Sequence, residues 1–240
     1  MEEDRMKIMV INPNSSKEMT ASIRTVLEKI KRQDTQLTVT CPDKGPIEIS
    51  SALDEIHAAY HMMDLVRQAN KENYDAVIVA CFSDPGLTAA REVSDILVVG
   101  IEESTMHVAA TLGYRFSILT PGPRRIPSKY NDAWRNKLYY NLASVRALGM
   151  TVTETDSKPE EAQQRILEVA RQAVEQDGAE VIILGCAGMV GYAEKAAREL
   201  NVVVLDPTST ALKYTEALVD LGVAHSKRAL YATPMEKEYR

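Results

Sequence analysis

Residues 75–86 read DAVIVACFSDPG, and residues 180–191 read EVIILGCAGMVG. Each stretch is a short, unbroken apolar run, then a cysteine, then a turn. A strand with one solvated face alternates apolar and polar residues; an unbroken run fits a strand covered on both faces, as in a parallel sheet. Working outward, the chain alternates strands with helical segments, so we expect an α/β fold built on parallel sheets.

The same pattern begins at the N-terminus. KIMVI (7–11) reads as a buried strand ending at Asn12-Pro13. Ser15 and Glu18 have capping-box spacing, and Met19, Ile23, Val26, Leu27 and Ile30 follow at helical spacing. LTVTC (37–41) reads as a strand, followed by a helix with Leu53, Ile56, Tyr60 and Met63 on one face. After Cys81, Pro85 is placed to begin a helix. DILVVGI is the next strand, and STMHVAATLG the next helix, with Gly113 as its stop.

From residue 115 the order restarts. RFSILTPGPR reads as a strand and turn, AWRNKLYYNLASVRAL as a helix and MTVTET as a strand. Ser157 and Glu160 form a second capping-box spacing, with Ile166, Ala170, Ala173 and Val174 on the buried face of the helix they start. EVIILGC, a helix, VVVLDP and a helix through Leu221 complete the series. VINPN overlays ILTPG at an offset of 108, and DAVIVAC overlays EVIILGC at 105. LVVGIEEST overlays VVVLDPTST. The expectation is two similar halves, residues 1–112 and 113–225, related by a pseudo-twofold axis with a cleft between them, and a surface tail over 226–240. The C-terminal segment is expected to be able to pack back on the first half.

In parallel sheets, ligands bind beyond the carboxyl ends of the strands. Cys81 and Cys186 both stand at such ends, so the pseudo-twofold brings two thiols to one cleft. A helix following each would favour a thiolate through its N-terminal N–H groups. Two acid/base groups facing one carbon can remove a proton from one face and deliver one to the other. That is the requirement for inverting a stereocentre, and it needs no cofactor if the proton is acidic enough. A lone strand-end cysteine reads as a small buried apolar residue; the matched pair is what points to chemistry. Cys41 has no cysteine counterpart, since TVTETDSK carries Glu154 there, and reads as structural.

Composition bounds the alternatives. The 240 residues carry a net charge of −6, with 45% hydrophobic residues, giving no reason to expect a nucleic-acid partner or an anionic membrane. No apolar run reaches membrane-spanning length, and the acidic MEEDR start does not read as a signal peptide. A cytoplasmic protein with three reduced cysteines is expected. His57 and His61 lie four apart but lack further ligands, so no metal site is expected. GCAGMVG lacks the spacing of a nucleotide-binding loop.

INPNSS, CFSDPG and GCAGM, with GIEESTMH, PRRIP and YATP, resemble hydantoin and allantoin racemases of the aspartate/glutamate racemase superfamily over nearly the whole chain. The resemblance implies that Cys81 and Cys186 are the catalytic pair, one acting as thiolate base and the other as thiol acid. It implies a small-molecule substrate, no cofactor and a homo-oligomer. It places Pro13, Asn14 and Ser16 in the substrate pocket, and Phe82, Ser83, Ala187 and Gly188 where backbone groups hold ring carbonyls. Thr120 matches the first of a Thr-Thr pair whose second member is Pro121 here. GPIEIS departs from the family's Gly-Pro-Ala-Ser-Ile-Glu, with Glu48 and Ser50 exchanged in type. An amino-acid racemase or a maleate cis-trans isomerase is the alternative; either needs a free cation for a carboxylate, and Arg124 is the candidate near a strand end. Glu103 and His107 belong to the matched segment without an assigned role.

Overall fold

A computed structural model describes residues 5–235. The first half runs β1 (Met6–Ile11), α1 (Lys17–Ile30), β2 (Thr35–Thr40), α2 (Ala52–Lys71), β3 (Ala76–Val79), α3 (Leu87–Val93), β4 (Leu97–Gly100) and α4 (Ile101–Leu112). The second runs β5 (Phe116–Thr120), α5 (Ile126–Arg135), β6 (Leu142–Ala147), α6 (Val152–Ser157), α7 (Pro159–Asp177), β7 (Val181–Leu184), α8 (Ala193–Leu200), β8 (Val203–Leu205) and α9 (Pro207–Asp220). The sheets are parallel, with matching orders β2-β1-β3-β4 and β6-β5-β7-β8.

The apolar strands follow from two-sided burial. Ile8, Val10, Ala76 and Ile78 share one central core with Phe116, Ile118, Val181 and Ile183 of the other sheet. Their neighbours Met9, Ile11, Val77 and Val79 pack outward with Met62 and Val66 of α2. Successive side chains point to opposite faces, so both sets must be apolar. The halves also exchange helices: α9 packs on β3 and β4, and α4 packs near β7 and β8. The segment after α9 returns to the first sheet. There His225 Nε2 meets the backbone of Val98, Lys227 Nζ reaches the carbonyls of Arg91 and Glu92, and the Tyr231 hydroxyl accepts from Arg91. Residues 236–240 of the expected tail lie outside the described residues.

Several local expectations need correction. Ser16, not Ser15, caps α1, accepting from the Met19 N–H, while the Ser15 hydroxyl donates to the carbonyls of Gly45 and Pro46. The helix after Cys81 starts at Leu87, with Gly86 rather than Pro85 at its border. LASVRA is strand β6, not the end of a helix: α5 stops at Arg135 and Lys137 takes a left-handed conformation. The Val152–Ser157 segment is helix α6, started by a capping box of Thr151 and Glu154, and α7, expected to be capped by Ser157 and Glu160, starts at Pro159 after Lys158 with no side-chain cap. The β-branched Thr151, Val152, Thr153 and Thr155 read as strand formers, but the cap chemistry of Thr151 decides the outcome. With β6 so placed, the counterpart of Cys41 is Leu148, not Glu154. On α2 the buried residues are Ala58, Met62, Val66 and Ala69, whereas Leu53, Ile56 and Tyr60 are 64%, 67% and 76% exposed.

Candidate active site

β3 and β7 are the fully buried strands that carry the two cysteines, and each cysteine stands two residues beyond its strand. Both thiols line one cleft between the halves, of about 530 Å³ including the part open to solvent. Small-molecule sites commonly span ~300–1,000 Å³. The wall also holds Asn12, Asn14, Met19, Ile49, Phe82, Ser83, Thr120, Pro121, Arg125, Lys129, Val152 and Ala187.

Seven of the ten residues expected at the site line this cleft: Asn14, Cys81, Phe82, Ser83, Thr120, Cys186 and Ala187. Pro13, Ser16 and Gly188 do not. Pro13 is buried in the turn, Ser16 is spent as the α1 cap, and the Gly188 N–H lies 3.3 Å from the Cys186 sulfur. The Thr120 hydroxyl donates to carbonyls of its own turn and of β6. Cys41 lies away from the cleft wall.

Backbone donors are distributed symmetrically. The N–H groups of Ser83 and Asp84 turn back on the Cys81 carbonyl. The N–H groups of Phe82 and Ala187, each directly after a cysteine, make no hydrogen bond among the described residues. The Asn14 carbonyl oxygen accepts from the Asn12 amide at 2.7 Å and the Ser16 N–H at 2.9 Å. These two donors fix the amide orientation and leave its NH₂ facing only the Met19 thioether, at 3.4 Å. The cleft therefore offers two backbone donors and one side-chain donor to a carbonyl-bearing ligand.

The thiols depart from expectation. The α-helices that follow do not start at the thiols: a loop separates Cys81 from α3, and Cys186 caps a 3-10 turn at 187–189, its sulfur accepting from the Gly188 N–H. Burial pushes the Cys81 thiol up to about 12, against the Ser83 hydroxyl at 3.5 Å, with Cys186 adding to the rise and the Lys129 ammonium opposing it. Burial likewise pushes Cys186 up to about 11, against the Gly188 N–H. Cys81 keeps part of its surface open to the cleft, so water moderates its shift more than that of Cys186. The direction is the same for both: burial favours the thiol over the thiolate, the opposite of the expected downward shift.

Lys129 is the site residue the sequence concealed. A helical lysine in IPSKYNDAW reads as solvated, yet this one is 1% exposed. Its ammonium donates to the Phe82 carbonyl (2.7 Å), Glu102 (2.5 Å) and Asp132 (2.8 Å). Burial pushes Glu102 up to about 8, while Lys129 is raised because its carboxylate neighbours outweigh its own burial. These directions conflict; three acceptors around Nζ decide for a charged ammonium, hence an ionised Glu102. Arg125, the other cation at the cleft wall, pairs with Glu55. Arg124 is absent from the wall, and Glu103 pairs with Arg91 at 2.9 Å. His107 lines a different groove, beside His225 and Tyr231. Among the described residues no group of three His, Cys, Asp or Glu side chains is arranged to hold a metal ion, and no helix is long and apolar enough to cross a membrane.

The sequence profile described as Asp/Glu/Hydantoin racemase matches residues 8–215. The chain belongs to this racemase family. It is 37% identical to a hydantoin racemase of Paenarthrobacter aurescens over 98% of this chain and 100% of that protein. It is 38% identical to a hydantoin racemase of Pseudomonas sp. (strain NS671) over 98% of this chain and 94% of that protein. Its fold matches the allantoin racemase from Klebsiella pneumoniae with a TM-score of 0.95, at 35% identity, covering 98% of this chain and 96% of that one. As a family racemase it is an isomerase of the hydantoin/allantoin racemase type. The α/β architecture of two parallel sheets is the architecture expected from the sequence.

Proposed function

We propose that this protein racemises 5-monosubstituted hydantoins, or allantoin, by proton transfer between Cys81 and Cys186 on opposite faces of ring carbon five. The observation that carries this reading is that equivalent positions of two equivalent sheets contribute one thiol each to a single cleft. The proton on ring carbon five is acidified by the adjacent carbonyl. One cysteine, as thiolate, takes it and becomes a thiol. The electron pair passes onto the carbonyl oxygen as an enolate, toward the N–H groups of Phe82 and Ala187 and the amide of Asn14. The opposite cysteine, as thiol, delivers its proton to the other face and is left as thiolate. Protons balance, and the two cysteines have exchanged states. No cofactor takes part in any step.

Both cations at the cleft wall are committed to carboxylates, which disfavours the binding of a free substrate carboxylate. This weighs against the amino-acid racemase and maleate isomerase alternatives. We also propose a cytoplasmic homo-oligomer; the exposed Leu53, Ile56 and Tyr60 of α2 support the assembly.

The test is the decay of circular dichroism of optically pure L-5-benzylhydantoin and of allantoin, corrected with a Cys81→Ser/Cys186→Ser variant. Each single Cys→Ser change should lower racemisation by more than about 10³-fold. A single variant retaining a tenth or more of wild-type racemisation would sink the two-cysteine reading.

A further inference from the structure

The departures from the family pattern, Glu48, Ser50 and Pro121, line one vestibule. Ile49, Pro121 and Val152 line both the thiol cleft and this vestibule, which opens from it. They come from three segments: the loop after β2, the turn after β5 and the first turn of α6. They are held in mutual register. The Met150 N–H donates to the Pro121 carbonyl at 3.0 Å. Across the halves, the Glu48 carboxylate accepts from the Thr153 N–H (3.3 Å) and hydroxyl (2.8 Å). The residue before Ile49 is thereby tied to the residue after Val152, and the apolar wall is preformed.

Apart from Arg124, which also lines the vestibule, the polar side chains nearby are engaged elsewhere. Pro121 offers neither a hydroxyl nor an N–H. Glu48 is committed to Thr153, and the Ser50 N–H and hydroxyl go to Asp54. Thr151 and Glu154 satisfy each other as a capping box, and Arg125 is paired with Glu55. The thiols and the carbonyl donors occupy one part of the cleft, and the vestibule opens past Ile49, Pro121 and Val152, which is the route for a substituent on ring carbon five. An alkyl or arylalkyl group there loses water and gains contacts. A ureido group, as in allantoin, gives up water for an apolar surface and leaves polar atoms unpaired.

We propose that Ile49, Pro121 and Val152 are the specificity-determining residues for the ring-carbon-five substituent, and that they select hydantoins with apolar side chains over allantoin. This rests on the racemase reading above. The test compares kcat/KM for L-5-benzylhydantoin, L-5-methylhydantoin and allantoin in the wild type, Ile49→Asn and Pro121→Thr. Wild type should prefer the benzyl compound to allantoin by about 100-fold. Ile49→Asn should lower the benzyl-to-methyl ratio by about tenfold or more. Pro121→Thr should raise allantoin relative to the benzyl compound. Allantoin turned over as well as the benzyl compound, or a benzyl-to-methyl ratio indifferent to Ile49→Asn, overturns the assignment while leaving the racemase reading intact. If the wild type racemises none of the three faster than the double-cysteine variant, both readings fall.

Discussion

Lys129 Nζ lies 2.5 Å from Glu102 Oε1, and this pair joins α5 of the second half to α4 of the first. Both side chains are almost fully buried. A buried pair adds little net stability over apolar residues of the same shape, yet removing one partner strands a charge. Lys129→Met should therefore cost about 3–5 kcal/mol, read from the urea midpoint at constant slope. Adding Glu102→Leu should return part of that loss, because the stranded carboxylate is gone. A cost below about 1 kcal/mol for the single change would mean the pair is not charged in the folded protein.

The second prediction concerns pH. In the proposed mechanism the working form needs one thiolate and one thiol, but burial pushes Cys81 and Cys186 up to about 12 and 11. A thiol loses its proton as pH rises through its pKa, so the singly ionised form grows with pH throughout the neutral range. Racemisation corrected for the spontaneous reaction should rise about tenfold per pH unit between about pH 7 and 9. A flat profile over that window would show that the thiolate is already formed, and that burial does not govern these thiols.

Much of this site is legible in the sequence because cysteine is scarce and strand ends are easily located. The runs DAVIVA and EVIILG identify the two central strands, and the pair Cys81 and Cys186 identifies the cleft. The part that was not legible is where one residue has two competing local uses. Thr151 begins a helix through its hydroxyl, although TVTET has strand composition, and this shifted the whole β6–α6 reading. Leu53, Ile56 and Tyr60 suggested a buried face, yet the smaller Ala58 and Ala69 lie against the sheet with Met62 and Val66. Lys129 was hidden for a third reason. Its partners Phe82, Glu102 and Asp132 lie 47, 27 and 3 positions away, and only the last falls on its own helix.

Asn14 separates a binding role from a turn role. Its Oδ1 holds the turn through two donors, while its NH₂ has only a thioether partner. Asn14→Asp keeps the acceptor and removes the donor. The expected result is a fall in kcat/KM of about 100-fold or more, the usual effect of losing one oxyanion donor, with little change in Tm. An unfolded variant would show that the turn depends on the neutral amide. A folded variant with wild-type activity would remove Asn14 from the proposed mechanism.

The two halves cap equivalent helices in different ways, which yields the last prediction. Asp206 caps α9 directly, accepting from the N–H groups of Thr208 and Ser209. At the corresponding start of α4 stands Gly100, and the carboxylate comes instead from Asp84, accepting from the N–H groups of Glu102 and Glu103 at 3.0 and 2.8 Å. A Cβ at residue 100 would lie 2.3 Å from the Asp84 carboxyl carbon. Gly100→Ala must therefore expel Asp84, uncap α4 and disturb the loop three residues beyond Cys81. The expected cost is about 2 kcal/mol, together with lower racemisation. Adding Asp84→Gly should relieve the clash and restore part of the stability, since Asp84 has a left-handed φ of 43° that glycine adopts freely. If Gly100→Ala alone melts and turns over like wild type, the carboxylate does not occupy that position in solution.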